Sequence, residues 1–368
     1  MEASMTDRSP LLDRIGVRFP IIQSPMAGVS TPAMAAAVSD AGGLGSIAVG
    51  AADAAGADAM IAEIRERTSR AFNVNLFCHG PAVSGAAIEG SWIERFRPRF
   101  AEYGAEPPAE LREIYRSFVE DEDMLDLLRL VQPPVVSFHF GLPRGDWIQS
   151  LRDAGIVLLA TATSLAEARA VAEAGVDAIV AQGWEAGGHR GMFDPDARDG
   201  RLPALELVRL IASELDTPVI AAGGIMDGAG INRALGAGAC AAQLGTAFIA
   251  CDESLADEGF RAALASQAAH PTVMTRAISG RPARCLANRF TALGADIPAS
   301  EVPAYPIAYD LGKSLNAAAK ARGEYGYGAQ WAGEGAPRFR AMPAGQLIET
   351  LAAELSQSNI SVEGNCHE

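Results

Sequence analysis

The chain predicts a (β/α)8 TIM barrel, an α/β fold, with a smaller, mainly helical second domain. Three observations lead there. Eight short apolar segments alternate with amphipathic helical segments between residues 20 and 250, which is the arithmetic of such a barrel. The apolar segments are uniform rather than alternating, as strands buried on both faces are. The residues that close them are mostly polar or glycine: Met26, Asn75, His139, Gln182, Gly224 and Thr246. In a barrel those ends meet on one rim, where catalysis resides. A doubly wound open sheet competes, and the recurrence at strand ends favours the barrel.

The first strand is PIIQSPM, ending at Met26. Thr31 before Pro32 sets a cap and a first-turn proline, so a helix runs from there through Ser39 until AGGLG stops it. LGSIAV is the second strand, a helix covers about Asp53 to Arg67, and FNVNLF at 72–77 is the third strand. Residues 80–133 break the rhythm with prolines, many charges and the segments SWIERFRPRF and EIYRSFVEDEDMLDLL. They read as a helical excursion whose end serves as the third helix. The charge run at 120–123 is a solvated helix face or an N-terminal turn.

Alternation then resumes. PVVSFHFG at 134–141 is strand four, followed by a helix from about Pro143 to Ala154. IVLLAT is strand five, and Thr163 or Ser164 caps the next helix. DAIVAQG is strand six, leading through a glycine-rich loop to a helix from about Pro203. PVIAAGG at 218–224 and CAAQLGT at 240–246 are strands seven and eight, with a helix after Asp227 between them.

The barrel with its excursion therefore spans 12–250. Residues 251–330 form a smaller helical domain capping the substrate side, and 331–356 pack back on the barrel through a helix from Met342 to Leu355. SQSNISVEGNCHE beyond it reads as a frayed tail. Within the cap, a helix over 306–322 has Pro306 near its start and Gly323 just past its end. Tyr305, Tyr309 and Lys313 step by four along it and share a face, as ligand contacts or as an amphipathic face packed on the barrel.

A formal net charge of −15 argues against a nucleic-acid or anionic-membrane surface. No apolar run approaches the ~20 residues that span a bilayer, and MEASMTDRSP is not a secretory signal. The five cysteines, Cys78, Cys240, Cys251, Cys285 and Cys366, are scattered with no CxxC pair. Neither a metal site nor a disulfide framework is supported, and reduced thiols in a cytoplasm fit best.

The chain is organised around AQGWEAGGHRG, residues 181–191. Glycines let a backbone lie against a ligand, and His189 follows a pair of them. A mobile surface loop is the plainer alternative. AAGGI and QLGT end strands seven and eight, the usual phosphate site of a barrel. Backbone N–H groups can hold a phosphate there without lysine, and the Thr246 hydroxyl adds a donor. Tight turns alone are the other use of such glycines. Neither a P-loop nor a dinucleotide fingerprint is present, so a mononucleotide phosphate such as that of FMN fits. Pro25, Met26, Ala27 and Gly28 offer flat backbone for a flavin ring, and the amides of Asn75 and Gln182 both donate and accept.

QSPMAGVSTPAMAAAVSDAGGLGS, FNVNLF, SFHFG, AQGWEAGGHRG, AAGGIMDG and AAQLGTAF together resemble the nitronate monooxygenase family, formerly called 2-nitropropane dioxygenase. The likeness runs over about 20–350. His139 in SFHFG and the Tyr305, Tyr309, Lys313 trio resemble its class I members. The resemblance implies an FMN-dependent oxidoreductase that oxidises alkyl nitronates with O2 to a carbonyl compound and nitrite. Propionate 3-nitronate, a toxin, is the substrate typical of that class, so detoxification is the implied role. It implies His189 as the catalytic histidine and His139, Tyr305, Tyr309 and Lys313 as substrate contacts. It places Asn75, Gln182, Gly187, Gly224, Gln243, Gly245 and Thr246 at the FMN, with Met26, Ala27, Gly188, Gly223 and Leu244 beside them. The segment 80–133 is the part that matches least.

His189, with an ordinary pKa near ~6.5, can donate to nitronate oxygens or take the α-proton of a neutral nitroalkane. Lys313 can attract a second carboxylate. The implied partners are a small nitronate and O2, without nucleic acid or membrane, and a homodimer is left open. The rivals are an FMN-dependent NAD(P)H:quinone reductase or enoyl-acyl-carrier-protein reductase, and a non-catalytic flavin-binding barrel.

Overall fold

A computed structural model describes residues 9–83 and 85–364, with side chains through 358. The reading of residues 1–8 as no signal, and Cys366, lie outside the described residues.

The barrel strands are β1 (Ile21–Gln23), β2 (Gly45–Ala48), β3 (Phe72–Phe77), β4 (Val135–His139), β5 (Val157–Ala162) and β6 (Ala178–Gln182). After the short β7 (Gly188–His189), which lies outside the barrel, come β8 (Val219–Ala222) and β9 (Ala241–Leu244). All eight barrel strands are parallel, in the order β1-β9-β8-β6-β5-β4-β3-β2. Leu44 closes the ring: its N–H donates to the Ile21 carbonyl at 3.0 Å and its carbonyl accepts the Gln23 N–H at 2.9 Å. Ile47, Val74, Val136, Leu158, Ile179 and Ala221 are fully buried, which explains the uniformly apolar strands.

A six-residue helix, α1 (Pro10–Ile15), precedes β1. The sequence reading did not mark it. Leu11, Leu12 and Ile15 pack with Val135, Val157, Ala178 and Ala241, which open their strands, so α1 covers the end of the barrel opposite the rim. The helices that follow are α2 (Pro32–Asp40), α3 (Ala54–Arg67), α4 (Ala86–Glu102), α5 (Glu122–Val131), α6 (Gly145–Asp153), α7 (Leu165–Glu173), α8 (Ala204–Glu214) and α9 (Gly228–Gly236), all but α4 lying around the barrel. Their starts follow from side-chain caps. Thr31 Oγ1 accepts the Met34 N–H at 3.0 Å, and Asp227 Oδ1 accepts the Gly230 N–H at 2.7 Å. Ser164, not Thr163, caps α7, accepting the Glu167 N–H at 3.2 Å. Each such cap is worth about 1 kcal/mol. The acidic run is the first turn of α5, with Asp121 as its cap.

The excursion serves two layers. α5 packs on α3 and α6 around the barrel. Trp92, Ile93, Phe96 and Phe100 of α4 instead share one apolar cluster with Ile307, Leu311, Leu315 and Ala319. These last four belong to α12 (Ile307–Lys320), which follows α10 (Glu258–Leu264) and α11 (Arg289–Gly294) in the second domain. That domain also carries β10 (Val273–Thr275) and β11 (Ala283–Cys285), which join β7 in a three-stranded antiparallel sheet. Strands of two or three residues leave no periodic signal, so the sheet was illegible beforehand.

The last helix, α13 (Ala344–Gly364), is longer than predicted, because 356–364 continues the helix where a frayed tail was expected. It packs on α2 and α9. Leu347, Ile348 and Leu351 are fully buried there, each contributing roughly 1.5–3 kcal/mol. Among the described residues no helix is long and apolar enough to cross a membrane.

Candidate active site

β6 delivers Gln182 to the rim, and the chain from Gly183 to Gly191 folds back over it. Gly187 has no room for a side chain: a Cβ would meet the Gly333 nitrogen at 2.4 Å. Arg190, 1% exposed, anchors the loop from beneath. Its Nη1 donates to the carbonyls of Gln182 (3.0 Å) and Gly183 (2.9 Å), while Nε donates to Asp199 at 2.8 Å. The Gln182 amide is spent largely on the same loop. Its oxygen accepts the Gly191 N–H at 2.8 Å and its nitrogen donates to the His189 carbonyl at 2.9 Å. β7 then pairs with β11, Ala283 opposite His189.

His189 thus stands on a cavity of about 540 Å³ between rim and cap, within the ordinary range for small-ligand sites. Every residue predicted to contact the cofactor lines this cavity, from Met26 and Ala27 after β1, through Asn75, Gln182, Gly187 and Gly188, to Gly223, Gly224 and the run Gln243–Thr246. Gly224, at φ +67°, has a backbone that L side chains resist. Thr246 Oγ1 accepts the Gly333 N–H at 2.9 Å, which leaves its own hydrogen free to donate. Both N–H bonds of the Asn75 amide go to Ser137 (2.9 and 3.2 Å), which leaves its oxygen unpartnered among the described residues. Glycine backbone, a free hydroxyl hydrogen and a free amide oxygen on one wall suit a phosphate at one end and a heteroaromatic edge at the other. The donor set fits a flavin cofactor.

His139, His189, Tyr309 and Lys313 line the same cavity. Lys313 Nζ lies over the rings of Tyr115 (4.8 Å) and Tyr309 (5.2 Å), and it forms no ion pair among the described residues. Burial lowers its pKa and pushes the Tyr309 phenol up to about 12. Asp257 is the one acid on the cavity wall among the described residues, and Lys320 holds it at 2.8 Å. Tyr305 differs from its predicted place. It is 6% exposed and lies behind the wall, its ring 5.4 Å from that of His189 and 5.0 Å from that of His79.

The histidines are also unlike the ordinary group assumed from sequence. Burial, reinforced by His139 and Arg281, lowers the His189 pKa to about 3. Burial and Arg281 lower that of His139 to about 4. Both rings are neutral at pH 7. His139 Nδ1 meets Thr161 Oγ1 at 3.0 Å, and its Nε2 lies 3.4 Å from the His189 carbonyl.

Several neighbours escaped the sequence reading. Ser279 Oγ lies 2.8 Å from His189 Nε2, the Trp331 ring lies 5.0 Å from the imidazole at a tilt of 58°, and Tyr115 lines the cavity from the excursion. Arg281, 3% exposed, lies over the Phe140 ring at 4.3 Å. Ser279 and Arg281 sit in a short loop without periodicity, so only the fold brings them to His189. Cys78, Cys240, Cys251 and Cys285 are free thiols.

The chain matches the family model described as Nitronate monooxygenase over residues 8–354. It is 59% identical to a nitronate monooxygenase of Paraburkholderia phytofirmans, covering 96% of each chain. It is 51% identical to a nitronate monooxygenase of Pseudomonas aeruginosa, covering 95% of this chain and 99% of that one. Among solved structures, nitroalkane oxidase from Streptomyces ansochromogenes superposes with a TM-score of 0.87 at 42% identity, covering 96% of this chain and all of that one. FabK from Thermotoga maritima superposes less closely, with a TM-score of 0.74 at 28% identity over 98% of this chain and 100% of its own. Barrel, rim loop and full-length similarity agree: the chain belongs to the nitronate monooxygenase family of flavin-dependent oxidoreductases.

Proposed function

We propose that the protein is an FMN-dependent monooxygenase that oxidises alkyl nitronates, propionate 3-nitronate among them, with O2 to a carbonyl compound and nitrite. One observation carries the substrate class. The wall around His189 offers a neutral imidazole, a phenol and an unpaired Lys313, and its one acid is already paired. Such a wall receives an anion in a water-poor site, where fixed donors count for more than in water.

The loops after β8 and β9 would hold the phosphate through glycine backbone and the Thr246 hydroxyl. Asn75 and the remaining N–H of Gln182 would serve the ring, with Met26 and Ala27 alongside. The redox chemistry is the flavin's once bound. His189 donates a hydrogen bond to nitronate oxygens, and Tyr309 adds a second donor. Lys313 orients a substrate that carries its own carboxylate. Tyr305 acts from behind, packing the imidazole in place. A nitronate arrives already deprotonated, so a histidine this hard to protonate is no handicap.

The test is oxygen uptake and nitrite release by the flavin-loaded protein with propionate 3-nitronate, with NADH in a parallel cell. Turnover with the first and little stimulation by the second are expected. Anaerobic bleaching of the flavin by NADH but not by nitronate would replace this reading with a reductase.

A further inference from the structure

We propose that Ser279 is a positioning residue that sets which ring nitrogen of His189 carries the proton, and so whether His189 offers the cavity a lone pair or an N–H.

The main chain of His189 is fixed by the barrel, its carbonyl accepting from Gln182 Nε2 at 2.9 Å. Its ring is fixed by the cap, with Nε2 2.8 Å from Ser279 Oγ. Nδ1 forms no hydrogen bond to any described residue and stays open to the cavity that His189 lines. The location of the imidazole proton must therefore be argued from the partners.

Ser279 is 1% exposed. Its one proton has two acceptors in reach, His189 Nε2 at 2.8 Å and the Arg281 carbonyl at 3.4 Å. In the first arrangement Nε2–H donates to Oγ, and Oγ–H donates to the Arg281 carbonyl. Every buried donor in that chain has an acceptor, and Nδ1 is bare. In the second, Oγ–H turns to Nε2, and Nδ1–H points into the cavity with no protein acceptor. The first arrangement makes two hydrogen bonds within the protein and the second makes one, so the first is the resting one. A bound oxyanion supplies the missing acceptor and favours the second. The exchange breaks Nε2–H, whose proton passes to solvent water, and forms Nδ1–H with a proton taken up from that water, while Ser279 keeps its own proton and the imidazole is neutral before and after. The low proton affinity that burial imposes on His189 agrees with a switch between two neutral forms.

The experiment uses flavin-loaded protein labelled with ¹⁵N at its five histidines, with the His189 signals identified by their loss in His189→Asn. Nitrate, a flat oxyanion, is the probe. Long-range ¹H–¹⁵N correlation is expected to show Nε2–H in the free protein and Nδ1–H with nitrate. Ser279→Thr, which keeps the hydroxyl, is expected to behave alike. Ser279→Ala is expected to lose the nitrate-driven change, and Ser279→Cys, a feeble partner in the same space, serves if the alanine variant does not fold. The kinetic arm rests on the nitronate reading: KM for propionate 3-nitronate is expected to rise roughly 2- to 12-fold in Ser279→Ala, the worth of one hydrogen bond, with kcat held. Nδ1–H in the free protein, or a nitrate response in Ser279→Ala equal to that of the unaltered protein, overturns the proposal. Failure of nitronate turnover overturns the nitronate reading alone, because the tautomer readout needs no activity.

Discussion

His189 and Ala283 face one another across an antiparallel ladder, so the residue placed at the reaction centre is also a strand of the cap's sheet. The next residue continues the link, Arg190 N–H donating to the Pro282 carbonyl at 2.8 Å. Cap and rim therefore hold the imidazole jointly.

His189→Asn should separate the two substrate forms. Turnover of a neutral nitroalkane is expected to fall by roughly 10²–10⁴, the ordinary worth of a positioned acid–base group. Turnover of a nitronate should fall only about tenfold, because a single hydrogen bond is lost. Parallel oxygen-uptake assays read the difference. Unchanged rates with both would mean His189 takes no part.

Lys313→Met tests the carboxylate assignment. KM for propionate 3-nitronate should rise by roughly 10- to 150-fold, as when a charge-assisted hydrogen bond is removed. KM for ethyl nitronate, which lacks the carboxylate, should move little. Equal rises for the two would place Lys313 at the nitronate group instead.

Gly187→Ala is expected to destabilise by about 1–3 kcal/mol through overpacking and to lower flavin content, since its Cβ would fall 2.4 Å from the Gly333 nitrogen. Gly236→Ala is the contrast. It meets nothing within 4 Å at the end of α9 and should stabilise by about 0.4–1 kcal/mol. Thermal melts and flavin absorbance check both.

Arg190→Leu strands Asp199 and two carbonyls, and a loss of roughly 3–5 kcal/mol is expected. The same pair has a pH signature. Burial pushes the Asp199 pKa up, but the Arg190 hydrogen bond and charge outweigh it, and the net shift is downward. A carboxyl with a depressed folded pKa contributes stability above its unfolded value near 3.8, and loses it as pH falls through the folded one. Acid unfolding of the unaltered protein should therefore extend below that value, while the Arg190→Leu variant should unfold at higher pH.

The histidines act in a different window. His189 and His139 have folded pKa values of about 3 and about 4, below the ordinary 6.5. The unfolded chain takes up protons first as pH falls from 6.5, so their contribution is complete above 6.5 and declines towards pH 4. Melting temperature should fall over that interval, and less steeply in His189→Asn. A melting temperature that is flat from pH 7 to pH 4 would contradict such buried neutral rings.

Much of the fold was legible because barrel strands announce themselves twice, by unbroken apolar runs and by what ends them. Thr31, Asp227 and the glycines after β8 marked boundaries through local chemistry alone. The candidate site was legible where a residue lay in or just after a barrel strand, as Asn75, Gln182 and Thr246 do. It was not where function rests on long-range contact. Ser279 reaches His189 across 90 positions, and no local pattern encodes such a meeting. Tyr305 shows the opposite error: it precedes the start of α12 at Ile307, so no helical face aligns it with Tyr309, and one ring lines the cavity while the other supports it from behind. The partners of α4 were illegible for a related reason, because Trp92 and Phe96 pack with residues of α12, more than two hundred residues later.

The pairing of β1 with β9 ties the first barrel strand to the last. β1, only three residues long, lies between β9 and the bridging Leu44, while α13 lies across the flanking helices α2 and α9. A ribosome releases β1 and α2 first and α13 last. The nascent barrel must wait as an open, incomplete ring until β9 emerges, and a truncation before residue 344 would leave α2 and α9 without the helix that straps them together.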